Sequence, residues 1–345
     1  MNRWNHPLAA RRTERRERRE AREQRERASP AIPYPNGWFG LADAGELRPG
    51  RVLTRRLMDE DVVLYRTAGG TVRAVRPFCP HLGAHLGHGG TVVGETIRCP
   101  FHHFRFGPDG TCVATGYGTP PPPKARVAPL ECREVDGFVM VWWHARGEAP
   151  SWEIEPLAPG EFEPPRSHVI HLRDHPQDVY ENVFDQGHFA PVHGVSATVT
   201  RPAVFEGTRA GVSMRYTPGQ GVFVATAGLA AEMTVSVQGM GFSRTETRHP
   251  VTGVDCHLWG LATPIGPGRL ALRVAVSARP TAGRAAASAV NRLTAKALLR
   301  LLAWDIRRDG RIWSNKIHLE HPKLAEGDGP ILQYRDWARQ FYTEG

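Results

Sequence analysis

Cys79-Pro80-His81-Leu82-Gly83-Ala84-His85-Leu86, answered after the seventeen residues that follow His81 by Cys99-Pro100-Phe101-His102, pairs a thiol with an imidazole twice, as C-x-H and then C-x-x-H. A zinc finger keeps both Cys at one end and both His at the other, whereas here each loop offers one sulfur and one nitrogen. That division suits two metal atoms in one centre, a [2Fe-2S] cluster in which one iron takes both thiolates and the other both imidazoles. Gly83, Gly87, Gly89 and Gly90 supply the backbone freedom that such tight loops need. His85, His88 and His103 match no ligand position, and Cys112, Cys132 and Cys256 read as packing residues.

A second constellation follows downstream. Asn182-Val183-Phe184-Asp185-Gln186-Gly187-His188-Phe189-Ala190-Pro191-Val192-His193 contains D-x-x-H-x4-H. On a helix Asp185 and His188 share a face, and His193 follows just past Pro191, where the chain must bend. Two imidazoles and one carboxylate are the facial triad that holds non-haem Fe(II) and leaves coordination positions open for dioxygen.

The chain of 345 residues, 41% apolar and 23% charged, is long enough for two globular domains. Its net charge is +9, but residues 1–30 carry ten Arg and five Glu, which leaves only +4 for the remainder. The basicity therefore belongs to an arm, residues 1–33, whose tract Arg11–Arg27 lacks an apolar stripe and reads as solvated. Localised charge of this kind argues against a nucleic-acid-binding protein. No run of about 18 apolar residues and no secretory signal is present, and five Cys are too few for a disulfide framework, so a cytoplasmic protein is expected.

From Tyr34 onward, short apolar runs such as Val62–Tyr65, Val72–Val75 and Phe138–Trp143 lie between Gly-rich and Pro-rich turns and predict an antiparallel all-β unit. Pro120–Pro123 do not divide it, because Gly137–Trp143 reads as a further strand. The boundary falls in the polar stretch Arg146–Pro165, giving domains 34–150 and 151–345. The second domain reads as α+β. It has a helical segment near Val179–His193, strands at Gly221–Thr226, Ala231–Gln238, His257–Ala262 and Leu270–Ser277, and a long helix. In that helix Val290, Leu293, Ala297, Leu301 and Trp304 are expected to form one buried stripe.

Cys79–His102 resembles the cluster-binding motif of Rieske proteins. Respiratory Rieske subunits carry an additional Cys in each loop, where this chain has Ala84 and Phe101, so the motif is similar to the oxygenase and ferredoxin type. Together with the D-x-x-H-x4-H segment, the chain from Tyr34 onward resembles the Rieske non-haem iron oxygenases. The resemblance implies an α+β architecture: an N-terminal all-β Rieske domain and a C-terminal helix-grip catalytic domain with an antiparallel sheet. It maps Cys79, His81, Cys99 and His102 onto a [2Fe-2S] cluster, and His188, His193 and a downstream acid onto a mononuclear Fe(II). Asp305 and Asp309 both suit that acid. Asp309 is preferred, because Asp309-Gly310-Arg311-Ile312-Trp313-Ser314-Asn315-Lys316 looks like the D-x-x-I-W-x-x-K segment of the steroid-acting subgroup. Asp185 takes the place of the carboxylate that bridges cluster and iron, and Asn182 has a supporting role beside it.

The loops around Cys79–His102, the stretch Gly89–Gly94 and the tail Glu326-Gly327-Asp328-Gly329-Pro330, with Trp337 and Gln340-Phe341-Tyr342, are similar to the cholesterol 7-desaturases and the 3-ketosteroid 9α-hydroxylase oxygenase component. This implies O2-dependent hydroxylation or desaturation of a sterol-like, apolar polycyclic substrate. It also implies a head-to-tail homotrimer in which His102 of one chain bonds Asp185 of the next, with Asp185 reaching His188. The chain has neither a flavin nor a nicotinamide motif, so electrons are expected from a separate ferredoxin or ferredoxin reductase. A natural-product tailoring oxygenase, including an oxidative cyclase, and an electron-transfer Rieske protein stand as alternatives.

Overall fold

The computed structural model describes residues 32–158, 160, 162–218, 231–248, 255–279 and 285–343, without the side chains of 218, 231, 285–292 and 294. The tract Arg11–Arg27, the expected strand Gly221–Thr226 and the Val290 side chain lie outside these residues.

The N-terminal part is built from short strands: β1 (Gly37–Asp43), β2 (Val52–Leu57), β3 (Glu60–Arg66), β4 (Val72–Val75), β5 (Thr91–Val93), β6 (Thr96–Arg98), β7 (Arg105–Phe106), β8 (Cys112–Ala114), β9 (Pro129–Leu130), β10 (Cys132–Val135) and β11 (Phe138–Trp143). They pair as β1-β11-β10, β2-β3-β4-β9 and β5-β6-β7-β8. The strands after Pro120–Pro123 thus return to β4 and β1, and the prolines form a connection within one unit.

The C-terminal part comprises β12 (Arg166–Leu172), α1 (Pro176–Phe184), β13 (Val195–Glu206), β14 (Arg209–Pro218), β15 (Ala231–Gln238), β16 (Phe242–Arg248), β17 (Asp255–Gly266), β18 (Arg269–Ala278), α2 (Ala285–Trp313) and α3 (Ile331–Ala338). Its strands make one antiparallel sheet in the order β12-β18-β17-β16-β15-β14-β13. The helices bury their apolar residues against it, with Tyr180, Phe184, Ala303, Trp313, Tyr334 and Trp337 meeting Val212, Val237, Leu272 and Val274 in one core. No helix of the described residues is long and apolar enough to cross a membrane.

Strand β11 joins the two parts because its uninterrupted apolar run is buried on both faces. Side chains alternate along a strand, so Val139 and Val141 pack with Phe39, Leu41 and Leu64. Phe138, Met140 and Trp142 turn the other way, toward Phe242, Trp259, Leu261 and Ala275 of the large sheet.

Two expectations need correction. Leu293, Leu301 and Trp304 are 68%, 42% and 52% exposed and Ala297 is exposed too, so from Leu293 to Trp304 the expected stripe is not buried. The inner side is Ala295, Leu302, Ala303, Ile306, Asp309 and Trp313. The offset arises because Asp309 and the closely packed Gly310 must face inward: a Cβ at Gly310 would stand 2.8 Å from Leu172 of β12. Nor does one helix carry Asp185, His188 and His193. α1 ends at Phe184, Asp185 is extended at φ −77° and ψ 107°, and Phe189–His193 form a separate π-helical turn that Gly194 closes in the left-handed region at φ 69°.

Gly241 lies where β15 turns into β16 beneath β1. A Cβ there would stand 2.1 Å from the Trp38 carbonyl oxygen and 2.7 Å from the Phe39 ring. Gly241→Ala must push the two parts apart and is expected to destabilise the protein by about 1–3 kcal/mol. A denaturation midpoint unchanged from that of the parent chain would contradict this close approach.

Candidate metal centres and the adjoining cavity

Each cluster loop begins with a Cys whose backbone closes a tight turn. Cys79 N donates to Ala84 O at 2.8 Å, Gly83 N donates to Cys79 O at 3.0 Å, and Cys99 N donates to Phe104 O at 2.8 Å. Both thiols are buried, packed with Leu86, Phe104 and Phe106. Burial, reinforced by the neighbouring Cys99 thiol, pushes Cys79 up to about 11, so a charged sulfur here calls for a bound cation. The imidazoles lie further out. The rings of His81 and His102 are 4.7 Å apart, and His81 stacks on Phe104 at 4.4 Å. Two enclosed sulfurs and two half-exposed nitrogens on facing loops fit the asymmetric ligand set of a Rieske cluster.

His85 is engaged elsewhere: its Nε2 lies 3.2 Å from Asp61 Oδ2, and its Nδ1 accepts from Gly87 N at 3.0 Å. Phe78, Leu82, Phe101 and Tyr117 are exposed apolar side chains on and beside the cluster loops, with the Phe101 and Tyr117 rings 3.7 and 6.0 Å from that of His102.

The second centre is assembled from α1, the π-helical turn and α2. His188, His193 and Asp309 bring one potential ligand atom each to within 4.8 Å of one another. His193 is held from both sides of its ring, with Nε2 3.0 Å from Asp309 Oδ1 and Nδ1 2.9 Å from Asp305 Oδ1. Both acids thus belong to the site, in different places. Asp305 occupies the ring nitrogen that points away from the triad, the position from which a carboxylate orients a metal-binding imidazole. The sequence offered Asp305 and Asp309 as rivals, and the signal that they cooperate is their spacing of one helical turn on one face. Burial disfavours a charged His193, yet the hydrogen bonds to Asp305 and Asp309 outweigh it and raise the imidazole to about 9.

His188 Nδ1 lies 2.7 Å from the Asp185 carbonyl oxygen, which leaves Nε2 facing Asn182 Nδ2 at 3.1 Å. The Asp185 carboxylate accepts from the His188 backbone N at 3.3 Å, but its other oxygen is 3.8 Å from Nδ1. Within one chain Asp185 therefore reaches the His188 ring through its main chain, and its carboxylate, 34% exposed, is turned toward the surface. Two imidazoles and one carboxylate around a common point fit a facial-triad iron site.

The remaining motifs brace this arrangement. Trp313 enters the core, and Lys316 Nζ donates to Asp178 Oδ1 of α1 at 3.0 Å. Burial opposes ionisation of Asp178, but His318 and Lys316 hold it well below the usual carboxylate range. In the tail, Asp328 O accepts from Gln186 N at 3.2 Å, and a Cβ at Gly329 would stand 2.3 Å from the Phe184 carbonyl oxygen. The tail therefore fixes the loop that carries Asp185, a contact the sequence did not reveal.

The triad opens into a cavity of about 320 Å³ between the helices and the large sheet. Its walls are mostly apolar, including Val179, Met214, Met233, Val235, Leu258 and Leu272, and its charged groups, Asp305 and Asp309, are those that flank His193.

Residues 37–128 match the Rieske [2Fe-2S] domain model, and residues 141–342 match the model described as 3-ketosteroid 9α-hydroxylase C-terminal domain. A cholesterol 7-desaturase of Ciona intestinalis is 31% identical over 90% of this chain and 69% of its own length. A probable 3-ketosteroid-9α-monooxygenase oxygenase component of Rhodococcus rhodochrous is 29% identical over 92% and 82%. The crystal structure of dicamba monooxygenase bound to dicamba has the same fold, with a TM-score of 0.65 at 18% identity over 89% of this chain and 97% of that one.

Removing the Asp309 carboxylate with Asp309→Ala is expected to abolish retention of the mononuclear metal. Asp305→Asn should weaken it about 10–100-fold while leaving the cluster in place, as measured by metal analysis after dialysis against a mild chelator. Because His193 must lose its proton to bind metal, affinity should rise about tenfold per pH unit and level off near pH 9. In Asp305→Asn the plateau should begin at lower pH, since one of the groups that raises the imidazole is gone. An unmoved plateau would sink the assignment of Asp305.

Proposed function

The chain belongs to the Rieske non-haem iron oxygenases that carry a 3-ketosteroid 9α-hydroxylase C-terminal domain, and from that premise we propose that it oxidises a C–H bond of a steroid or similarly compact apolar polycycle. It is an oxidoreductase that uses O2, an organic substrate and electrons from a protein partner. Residues 34–150 would hold the cluster through Cys79, His81, Cys99 and His102, and residues 151–345 the iron through His188, His193 and Asp309. When bound, the cluster stores and passes single electrons, and the mononuclear iron activates dioxygen.

The observation that carries this reading is the opening of the His188/His193/Asp309 triad into an apolar cavity of about 320 Å³. That volume lies near the lower end of the range for small-molecule sites, roughly 300–1,000 Å³, and favours a compact ring system over a long flexible chain. The chain's own residues then divide the work. Val235, Leu258, Leu272 and Met214 exclude water and hold an apolar ring by area alone. Asp305 keeps His193 in one orientation and one tautomer, and the Asp185 carbonyl does the same for His188. Asn182, within hydrogen-bond reach of His188 Nε2, lies at the cavity's metal end. Hydroxylation and desaturation share the abstraction of a first hydrogen and differ in the second step.

A head-to-tail homotrimer is the assembly that best uses two unsatisfied features. The exposed apolar side chains Phe78, Leu82, Phe101 and Tyr117 on and beside the cluster loops need a covering surface. The outward-turned Asp185 carboxylate offers an imidazole of a neighbour its acceptor. Electrons would enter from a ferredoxin or its reductase.

The test is reconstitution with a surrogate reductase and screening of sterols and ketosteroids for substrate-dependent O2 consumption. The expected product is one oxygen heavier than the substrate, or two hydrogens lighter. Absence of stimulation by any apolar polycycle would overturn the substrate class. Asp185→Asn should retain both metals and lower product formation about 10–100-fold, and coupled turnover at the parent rate would refute the bridge.

A further inference from the structure

The cavity is polar at one end for the metal, but it carries two further hydroxyls that the proposed chemistry does not use. On the inward face of β16 the alternate residues Ser243, Thr245 and Thr247 all line the cavity. Ser243 is spoken for: its Oγ donates to Gly260 O at 3.1 Å, the same carbonyl that accepts from Tyr180 Oη of α1 at 2.8 Å. Ser243 thus lies beneath the helix that carries Asn182 to His188. Thr245 and Thr247 continue away from that point by about 6.6 and 13 Å, at about 3.3 Å per residue.

Their surroundings offer little to satisfy a hydroxyl. Thr245 stands between Val235 and Leu258 on the neighbouring strands, and Thr247 between Met233 and Cys256. Neither makes a hydrogen bond within the described residues. Tyr216 Oη is the other uncommitted hydroxyl in the lining and reaches only Met214 Sδ at 3.8 Å, but its ring packs on Phe189 of the metal-binding turn. The two threonines are therefore the uncommitted hydroxyls on the wall that leads away from the metal. A hydroxyl facing an apolar cavity without a partner costs more than a methyl in its place, unless a ligand completes it.

We propose that Thr245 and Thr247 form a polar subsite that binds an oxygen function, a ketone or a hydroxyl, at the end of the substrate remote from the oxidised carbon. This deepens the oxygenase reading above and rests on it. An apolar polycycle can slide and flip in a greasy pocket. One hydrogen bond at that point of β16 would fix which ring edge faces His188 and His193, and so which carbon reacts.

The experiment uses the holoenzyme and three probes that differ only in oxygen: 5α-androstane, 5α-androstan-3-one and 5α-androstan-17-one. Dissociation constants are measured by titration calorimetry on the parent chain, Thr245→Val, Thr247→Val and the double variant, with Thr247→Ser as a control that keeps a hydroxyl. At least one ketone is expected to bind the parent about three- to tenfold more tightly than androstane. Val at 245 or 247 should erase that advantage without weakening androstane, Ser at 247 should keep it, and the site of oxidation should become mixed in the Val variants. If ketones and androstane bind the parent alike, or if the Val variants keep the preference, the subsite is refuted while the oxygenase reading stands. If no probe binds the parent at all, the polycyclic substrate class falls and the subsite falls with it.

Discussion

An imidazole gripped at both nitrogens by carboxylates of one helix is the contact that ties this catalytic half together. Asp305 and Asp309 are one turn apart on α2, about 6 Å along its axis, and His193 fits between them with Nδ1 and Nε2 at 2.9 and 3.0 Å. The grip sets the rotation of α2, since both acids must face inward, and the position of the π-helical turn, since His193 sits at its end. Once α2 is so rotated, Ile306 and Trp313 pack into the core, while Leu301 and Trp304 stay half-exposed at the edge of the cavity. A helix with apolar residues on more than one face has no preferred face of its own, and here the two acids that flank His193 choose it.

Precision at such a site requires that its supports do not move. The loop from Asp185 to His188 is short of regular structure, so it is held from outside by Asp328 and Gly329, and α1 is held by Lys316, His318 and Arg335 acting on Asp178 and Glu181. Several of these ion pairs are largely buried, where breaking one partner costs far more than the pair adds over an apolar substitute. Their use here is positional: they hold α1, which carries Asn182, in place. At the other end, the two-faced burial of β11 gives the two halves a shared core, so their relative placement follows from packing and not from the polar connection between Arg146 and Pro165.

What the sequence disclosed follows from how local each signal is. The candidate cluster ligands lie two and three residues apart within single loops, so Cys79, His81, Cys99 and His102 could be proposed without knowing any tertiary contact. The strands at Val72–Val75, Phe138–Trp143 and Ala231–Gln238 were legible for the same reason, each being a bounded apolar or alternating run. The helix face was not, because two apolar stripes compete in α2 and spacing alone cannot rank them. Taking Asp309 as inward would have ranked them, since Ile306 and Trp313 share its face and the exposed Leu293 and Ala297 do not. The break after Phe184 was missed because nothing in Asp185-Gln186-Gly187 forbids a helix outright. At that point Gly329, more than a hundred residues away, comes so near the Phe184 carbonyl that a Cβ on it would stand 2.3 Å from the oxygen.

The cavity shows the same economy in polar groups. Tyr180 and Ser243, which could have made its floor sticky, are both turned onto the Gly260 carbonyl, so that stretch presents satisfied atoms and offers a substrate only area. Area alone discriminates poorly: one extra or missing methylene changes binding by about 1–3 kcal/mol, and a symmetric apolar body can enter in several orientations of similar energy. Rejection becomes strong where a buried polar group would be left without a partner, because the wrong ligand then bears a desolvation cost it cannot recover. Along β16, Ser243 is satisfied by Gly260 while the Thr245 and Thr247 hydroxyls have no hydrogen-bond partner among the described residues, so a polar subsite there would read orientation at a distance from the reacting bond. The choice of carbon can then differ between relatives through one or two hydroxyls on a strand, while the triad and the grip on His193 stay as they are.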